Sequence, residues 1–359
     1  MPVVSAPAHD RCSTHVVEAT ESAWSSFVSA HPDATAYHSW QWRGIFERSF
    51  GYRSWYLLAA DDETGAITGA LPLFLVTSPF GRRLVAVPFR DRGGLLWIRD
   101  SAFTELVAEA RRIASKVGAT TVEFKSTEPY PPAAAAAAGL RERFYWIRSV
   151  VPLREFATVS LWRRLGTKRR SPIRHAQDAG MVCEDGGIDA DAWYDLHLRT
   201  QQRLGLPPFP RRFFRTLLET LVPCGAARLL LAKRGSAIMA ATILLDHRSD
   251  VIYGYAASTS EGQRHAAGDV VLYSALDAAI AAGRETFDMG SDAPLQQGLL
   301  FFKKRWFAVQ KPIPTYTLGA DSAGVSDSSS PRYRLLRKGF EWLPRPVLRL
   351  AGHATKYFG

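Results

Sequence analysis

The stretch of the chain with the clearest chemical potential is YGYAASTSEGQRHAAGDVVLYSALDAAIAAG, residues 253–283, where a strand pattern opens into a polar loop and then a helix. Such a turn presents unpaired backbone N–H groups beside the positive end of a helix dipole, which is what holding a phosphate or pyrophosphate requires. Gln263, Arg264, Gly268 and Asp269 are therefore candidates for the phosphates of a bound donor. A plain surface loop is the alternative, because no strict G-x-G-x-x-G or Walker lysine pattern is present. Tyr255 and Asp269 are a candidate proton donor and acceptor by placement.

A second candidate lies in TFDMGSDAPLQQGLLFFKKRWFAVQKPIPTYTL, residues 286–318, in which a strand ends at Asp288 and a short helix carries Phe301 to Trp306. Three consecutive cations, Lys303, Lys304 and Arg305, stand beside aromatic residues; they either reach solvent or meet the negative charge of a substrate. Lys303, with Asp288 at the same centre, would neutralise charge developing on a carbonyl or phosphate oxygen during acyl transfer. Upstream, Arg163, Arg164, Lys168, Arg169, Arg170 and Arg174 crowd one basic segment beside Trp162. That density suits a phosphate-rich ligand or, equally, a solvated helix face.

Familiar catalytic signatures are missing: no G-x-S-x-G elbow, no H-E-x-x-H, and no catalytic pairing of a cysteine with a histidine. The nine histidines are scattered, and single ones such as His197 and His265 read as structural or exposed. Direct attack of an amine on a bound thioester or ester needs mainly positioning, desolvation and an oxyanion donor, so this sparse inventory fits it.

The elements that must position these residues alternate between strand and helix, so the fold class is mixed α and β. A hairpin is predicted over Ser54–Ala60 and Ala66–Val76, followed by a helix over Ser101–Lys116 and a strand from Thr120 to Phe124. The second half repeats the order, with a hairpin over Arg228–Ala232 and Ala237–Leu245, a strand at Val251–Ala257, a helix at Asp269–Ala282 and a strand at Thr286–Asp288. LLAADDETGAITGALPL resembles LLLAKRGSAIMAATILL, and ASKVGATTVEFKS resembles AIAAGRETFDMGS. We read two copies of one unit, residues 1–155 and 156–320. The alanine-rich run from Pro131 to Gly139 is expected to be helical. Residues Asp321–Pro331 look like a flexible joint, and 321–359 includes a basic amphipathic tail that lies on an anionic membrane surface or docks on its own protein.

The chain has 359 residues, 47% of them hydrophobic, a net charge of +11 and only three cysteines, Cys12, Cys183 and Cys224. Their spacing indicates neither a disulfide framework nor a metal site. With no apolar run of bilayer length and no leader pattern, a cytoplasmic protein is expected, peripheral at the inner membrane face if the tail binds there. The positive charge favours anionic partners, including nucleotides, tRNA, phospholipid surfaces and sugar phosphates.

Taken together, AYHSWQWRGIFERSFGY, GALPL, VPFRDRGGLL, IRHAQDAGMVCE, RTQQRLGLPPFPRRFFRTL, VIYGYAAS and FDMGSDAPLQQGLLFFKKRW, in this order over residues 36–318, resemble the FemAB and BioF2-like (CelD-type) branch of the GNAT superfamily. The resemblance implies a tandem duplicated GNAT-like fold, with the active site in the second unit and an acceptor groove between the units. It also implies an N-acyltransferase acting on an amine of a phosphate-bearing cell-envelope or exopolysaccharide precursor. In GNAT-type enzymes the strand-loop-helix turn cradles the pyrophosphate of acyl-CoA, and Gln263 to Gly268 is similar to a degraded form of it.

Phe302 and Lys303 match the Phe-Lys pair that closes the active site in the aminoacyl-tRNA-dependent branch. Arg203 and Phe213-Phe214 match a motif without an assigned role. Two donors stay open, acyl-CoA and aminoacyl-tRNA, with Lys168, Arg169, Arg170, Arg174, Lys304 and Arg305 contacting the tRNA acceptor stem or the diphosphate of an acceptor. A third reading is a non-catalytic GNAT-like binding module.

Overall fold

Both expected hairpins form, and each is the seed of a half-sheet. In the computed structural model, which describes residues 13–79, 81–156, 159–319 and 339–357, the first half contributes β1 (Thr14–Glu18), β2 (Arg53–Asp61), β3 (Ile67–Ser78), β4 (Gly81–Val85), β5 (Leu96–Trp97), β6 (Thr121–Lys125) and β7 (Arg141–Pro152). The second contributes β8 (Met181–Asp185), β9 (Ala227–Arg234), β10 (Ala237–His247), β11 (Asp250–Ser258), β12 (Thr286–Asp292) and β13 (Val309–Gly319). Turn chemistry fixes the first hairpin: Asp61 Oδ1 accepts hydrogen bonds from the Thr64 amide and hydroxyl, both at 2.8 Å. An aspartate that caps its own turn in this way sets the register of the strands it joins.

Among the described residues the strands form one sheet in the order β1-β2-β3-β4-β6-β13-β7-β12-β11-β10-β9-β8, with β5 beside β3. The two halves obey the same rule. In the first, β4 runs parallel to β6, and in the second β11 runs parallel to β12; all other pairs are antiparallel. The last strand of each half has changed sides: β13 pairs with β6, and β7 pairs with β12. These two strands also pair with each other, from Val309↔Val150 to Thr317↔Arg141, so an exchanged antiparallel pair joins the halves at the centre.

Helices cover the sheet where their apolar stripes demand it. Asp100–Val117 buries Ala102, Phe103, Leu106, Ala110, Ile113 and Val117, and Ala267–Ala281 buries Val270, Val271, Ala275, Leu276 and Ala279. Both follow the three-and-four spacing of a helix packed by one face. The helices Gln41–Phe50 and Arg211–Leu221 meet across the halves, with Phe46 and Phe50 against Phe213 at ring distances of 6.2 and 5.4 Å. Phe213 and Phe214 are fully buried there, which gives the Phe-Phe motif a packing role between the halves.

The alanine-rich run is helical over Pro132–Ala137. The expected joint, Asp321–Pro331, lies outside the described residues, as do Arg334, Leu335, Leu336, Arg337 and Lys338 of the tail. The rest of the tail docks on its own protein: Leu348 is buried, Gln202 donates to the Leu343 carbonyl, and Thr355 donates to the Pro208 carbonyl. Trp342 and Leu350 stay exposed on its outer side. No helix among the described residues is long and apolar enough to cross a membrane.

Candidate functional site

The duplicated architecture offers the same opening twice, because a parallel pair in an otherwise antiparallel sheet splays where its ladder ends. In the first half the opening is filled. The β4/β6 register ends at Val85↔Glu123, and the loop after β4 closes over it, with the Gly94 amide donating to the Lys125 carbonyl at 2.8 Å. A Cβ at position 94 would sit 2.4 Å from that carbonyl oxygen, so only glycine allows the plug to seat. His38 fixes it from behind, its Nε2 3.0 Å from the Gly94 carbonyl and its Nδ1 accepting from the Thr35 amide.

In the second half the opening is a cavity. The β11/β12 register ends at Ile252↔Asp288. Beyond it, Tyr253 to Ala256 and Met289 to Asp292 line a space of about 950 Å³ that residues of both halves enclose. Tyr37, Arg90, Asp91 and Trp146 come from the first half; Gln263, Gly268, Asp269, Phe302 and Lys303 come from the second.

Lys303, on the helix Gln297–Lys304, is buried. Its Nζ lies 2.6 Å from Asp292 Oδ2 and donates to the Gly290 carbonyl at 3.3 Å. Burial raises the Asp292 carboxyl above the ordinary aspartate value even though Lys303 opposes the shift. Tyr255 lines the cavity with its hydroxyl buried and unpartnered, and desolvation raises its pKa.

Asp288, expected at the reacting centre, does not line the cavity. Its carboxylate accepts from Arg92 Nη2 at 2.5 Å, Arg148 Nε at 2.7 Å and the Gly290 amide at 2.7 Å. With its oxygens spoken for by two guanidinium groups and a backbone N–H, Asp288 is a structural hub that ties β12 to β7 and to the loop after β4.

The polar loop after β11 keeps the form that a phosphate cradle needs. A short helix, Ser260–Arg264, is capped by Thr259, whose Oγ1 accepts from the Gly262 amide at 2.8 Å. Ala266 then adopts a left-handed backbone, φ 54°, at the N-cap of Ala267–Ala281, where no side chain caps the helix. Gly268 has open space on its Cβ side. Asp269 stands in the first helical turn, where a carboxylate would compete with a bound anion. Arg169 answers it at 2.9 Å, and burial raises the Asp269 carboxyl, against the pull of Arg169 and Arg305. The residues present therefore fit a pyrophosphate at this helix end.

The remaining expectations divide. Arg169 packs over Phe302 and Trp306 at 4.8 and 5.2 Å and reaches the loop only through Asp269. Arg264, Lys168, Lys304 and Arg305 are exposed, and Arg174, also exposed, lies over Trp162. Together with the half-buried Arg170 they lie outside the cavity lining. Arg203 also lies outside it and clamps the end of β11, donating to the Ser258 carbonyl at 2.9 Å.

Sequence reasoning missed Tyr37, Arg90, Asp91, Trp146 and Asp292. The signal for Arg90 and Asp91 was available: Arg90-Asp91-Arg92 interrupts an apolar run, and charges so placed are buried with partners or with a purpose.

Comparison with known proteins agrees with this fold. Residues 163–298 match the acetyltransferase (GNAT) domain family. Among solved structures, the chain is similar to FemX, with 16% identity, 90% of this chain and 100% of that chain covered, and a TM-score of 0.68. It is also similar to a tandem GNAT protein from the clavulanic acid biosynthesis pathway, with 15% identity, coverage of 85% and 98%, and a TM-score of 0.55. A third likeness is to L-PGS from Bacillus licheniformis, with 14% identity, coverage of 93% and 98%, and a TM-score of 0.55. No curated protein matches the chain in sequence. Fold and matched domain together define an acyltransferase-type, tandem GNAT-like fold.

Proposed function

We propose that the chain is an N-acyltransferase that moves an acyl group from acyl-CoA to an amine of a phosphate-bearing cell-envelope precursor. The observation that carries this reading is the asymmetry of the two openings: the first is plugged by Gly94, while the second is a cavity that touches both an uncapped helix N-terminus and Lys303. The donor supplies an activated acyl carbon. Gln263, Gly268 and the first amides of Ala267–Ala281 hold its pyrophosphate. Lys303, already desolvated, stabilises the oxygen on which negative charge develops, and the low surrounding dielectric strengthens that effect. Asp292 holds the lysine in place and, with a carboxyl of raised pKa, is matched to take a proton from the attacking amine. Tyr255, protonated and without a partner, is the available donor to a leaving group.

The test is acetyl-CoA binding by calorimetry, followed by transfer to a panel of amines. Saturable binding that Gly268→Glu abolishes without unfolding the protein supports the reading, and absence of any CoA thioester binding overturns it. A second reading, with aminoacyl-tRNA as donor, is favoured by the exposed cations Lys168, Lys304 and Arg305, of which Arg305 acts on Asp269 at the same helix end, and by the likeness to FemX. Retention of aminoacyl-tRNA that falls steeply with salt, with no affinity for CoA, would select it.

A further inference from the structure

We propose that Arg90 is an oxyanion-binding subsite of the cavity, specific for a carboxylate or phosphate group carried by the acceptor; the word acceptor rests on the acyl-transfer reading above. Arg90 is 9% exposed and lines the cavity. Its guanidinium carbon lies 4.7 Å from the centre of the Tyr255 ring and 5.7 Å from that of Tyr37. Among the described residues no carboxylate stands within ion-pair distance of it, and its buried Nε has no hydrogen-bond partner. Arg92, two positions on, shows that carboxylates are not scarce here: it pairs with both Asp91 and Asp288.

The energetics favour a missing anion. Burying a cation without an ion-pair partner costs more than stacking on aromatic faces returns. Burial works against the charge of Arg90, yet a guanidinium stays cationic at any ordinary pH. A guanidinium lying over a ring keeps its donors in its own plane, and that edge suits the two oxygens of a carboxylate or phosphate. Arg90 also belongs to the first half, whereas Gln263, Gly268 and Asp269 belong to the second, so anion recognition here is separate from the donor's pyrophosphate.

The experiment is ligand-observed NMR or calorimetry on the whole protein with three small amines: 2-aminoethyl phosphate, β-alanine and uncharged-tail ethanolamine. At least one anionic amine is expected to bind tenfold or more tightly than ethanolamine. Arg90→Gln should erase the difference, Arg90→Lys should keep part of it, and acetyl-CoA affinity should be unchanged in both. Which anionic amine binds more tightly identifies the group as phosphate or carboxylate. If wild-type protein shows no preference for either anionic amine, or if folded Arg90→Gln keeps the preference, the subsite is overturned; the wild-type comparison needs no variant to fold. Preference without any donor binding would leave the subsite standing and remove the acyl-transfer reading, while donor turnover without preference would do the reverse.

Discussion

Lys303 and Asp292 form a buried ion pair at 2.6 Å inside a cavity that both halves of the molecule line. In the acyl-transfer mechanism proposed above, this ammonium is the counter-charge to the developing oxyanion. Lys303→Met is expected to lower the transfer rate by about 10²–10³-fold, the usual cost of removing one preorganised donor, with little change in donor affinity. Steady-state rates beside calorimetric donor binding would check this. Equal losses in both would assign the lysine to binding instead.

Because burial raises the Asp292 carboxyl, the acid limb of the rate profile should lie at higher pH than an ordinary aspartate would give. Asp292→Asn is expected to lower the rate and to remove that limb. A limb that survives the substitution would belong to another group.

Asp288 should behave as a hub. Asp288→Ala leaves Arg92 and Arg148 without their shared carboxylate, and breaking one side of a buried ion pair costs about 3–5 kcal/mol. Denaturant midpoints should fall accordingly. A variant with unchanged stability and no activity would restore Asp288 to the chemistry.

The two glycines of the polar loop should respond in opposite ways. A Cβ at Gly262 would meet the Met239 carbonyl at 2.2 Å, so Gly262→Ala should destabilise the protein by about 1–3 kcal/mol, as overpacking does. Gly268→Ala meets nothing in the protein and should leave the melting temperature unchanged while weakening the donor. Thermal melts and donor titrations on both variants separate the two effects.

Acid should unfold the protein through two histidines. Burial lowers both His38 and His197 to about 3. Their unfolded value is near 6.5, so the unfolded chain binds more protons between these limits. Their contribution is complete above pH about 6.5 and is lost as pH falls toward 3. Asp292 acts with the opposite sign, since its raised value means that ionising it costs stability as pH rises. Replacing His197 with Gln, which can still accept from the Phe209 amide as Nε2 does at 3.0 Å, should flatten the acid dependence measured by denaturant titration.

Much of the fold could be read in the chain. Asp61, Thr64 and Gly65 mark one hairpin and Gly235 the other, and the helix Asp100–Val117 lies within one residue of its expected bounds. Periodicity and turn residues are local, so they survive in a single sequence. The exchange of β7 and β13 could not be read, because a strand's partner is decided by which edge it reaches and not by its own alternation. The site divides in the same way. Lys303, Tyr255, Gln263, Gly268 and Asp269 sit on short contiguous motifs. Arg90 and Tyr37 arrive from the other half, and nothing local to Asp288 reveals that two distant arginines have claimed it.

The exchanged pair at the centre also constrains turnover. The halves cannot swing apart about a linker, since any such opening would tear the hydrogen-bond ladder between Val309–Thr317 and Arg141–Val150. Ligands would then enter and leave a cavity whose two sides stay fixed relative to each other. An inhibitor that wedges the groove would meet a fixed frame and not a closing jaw.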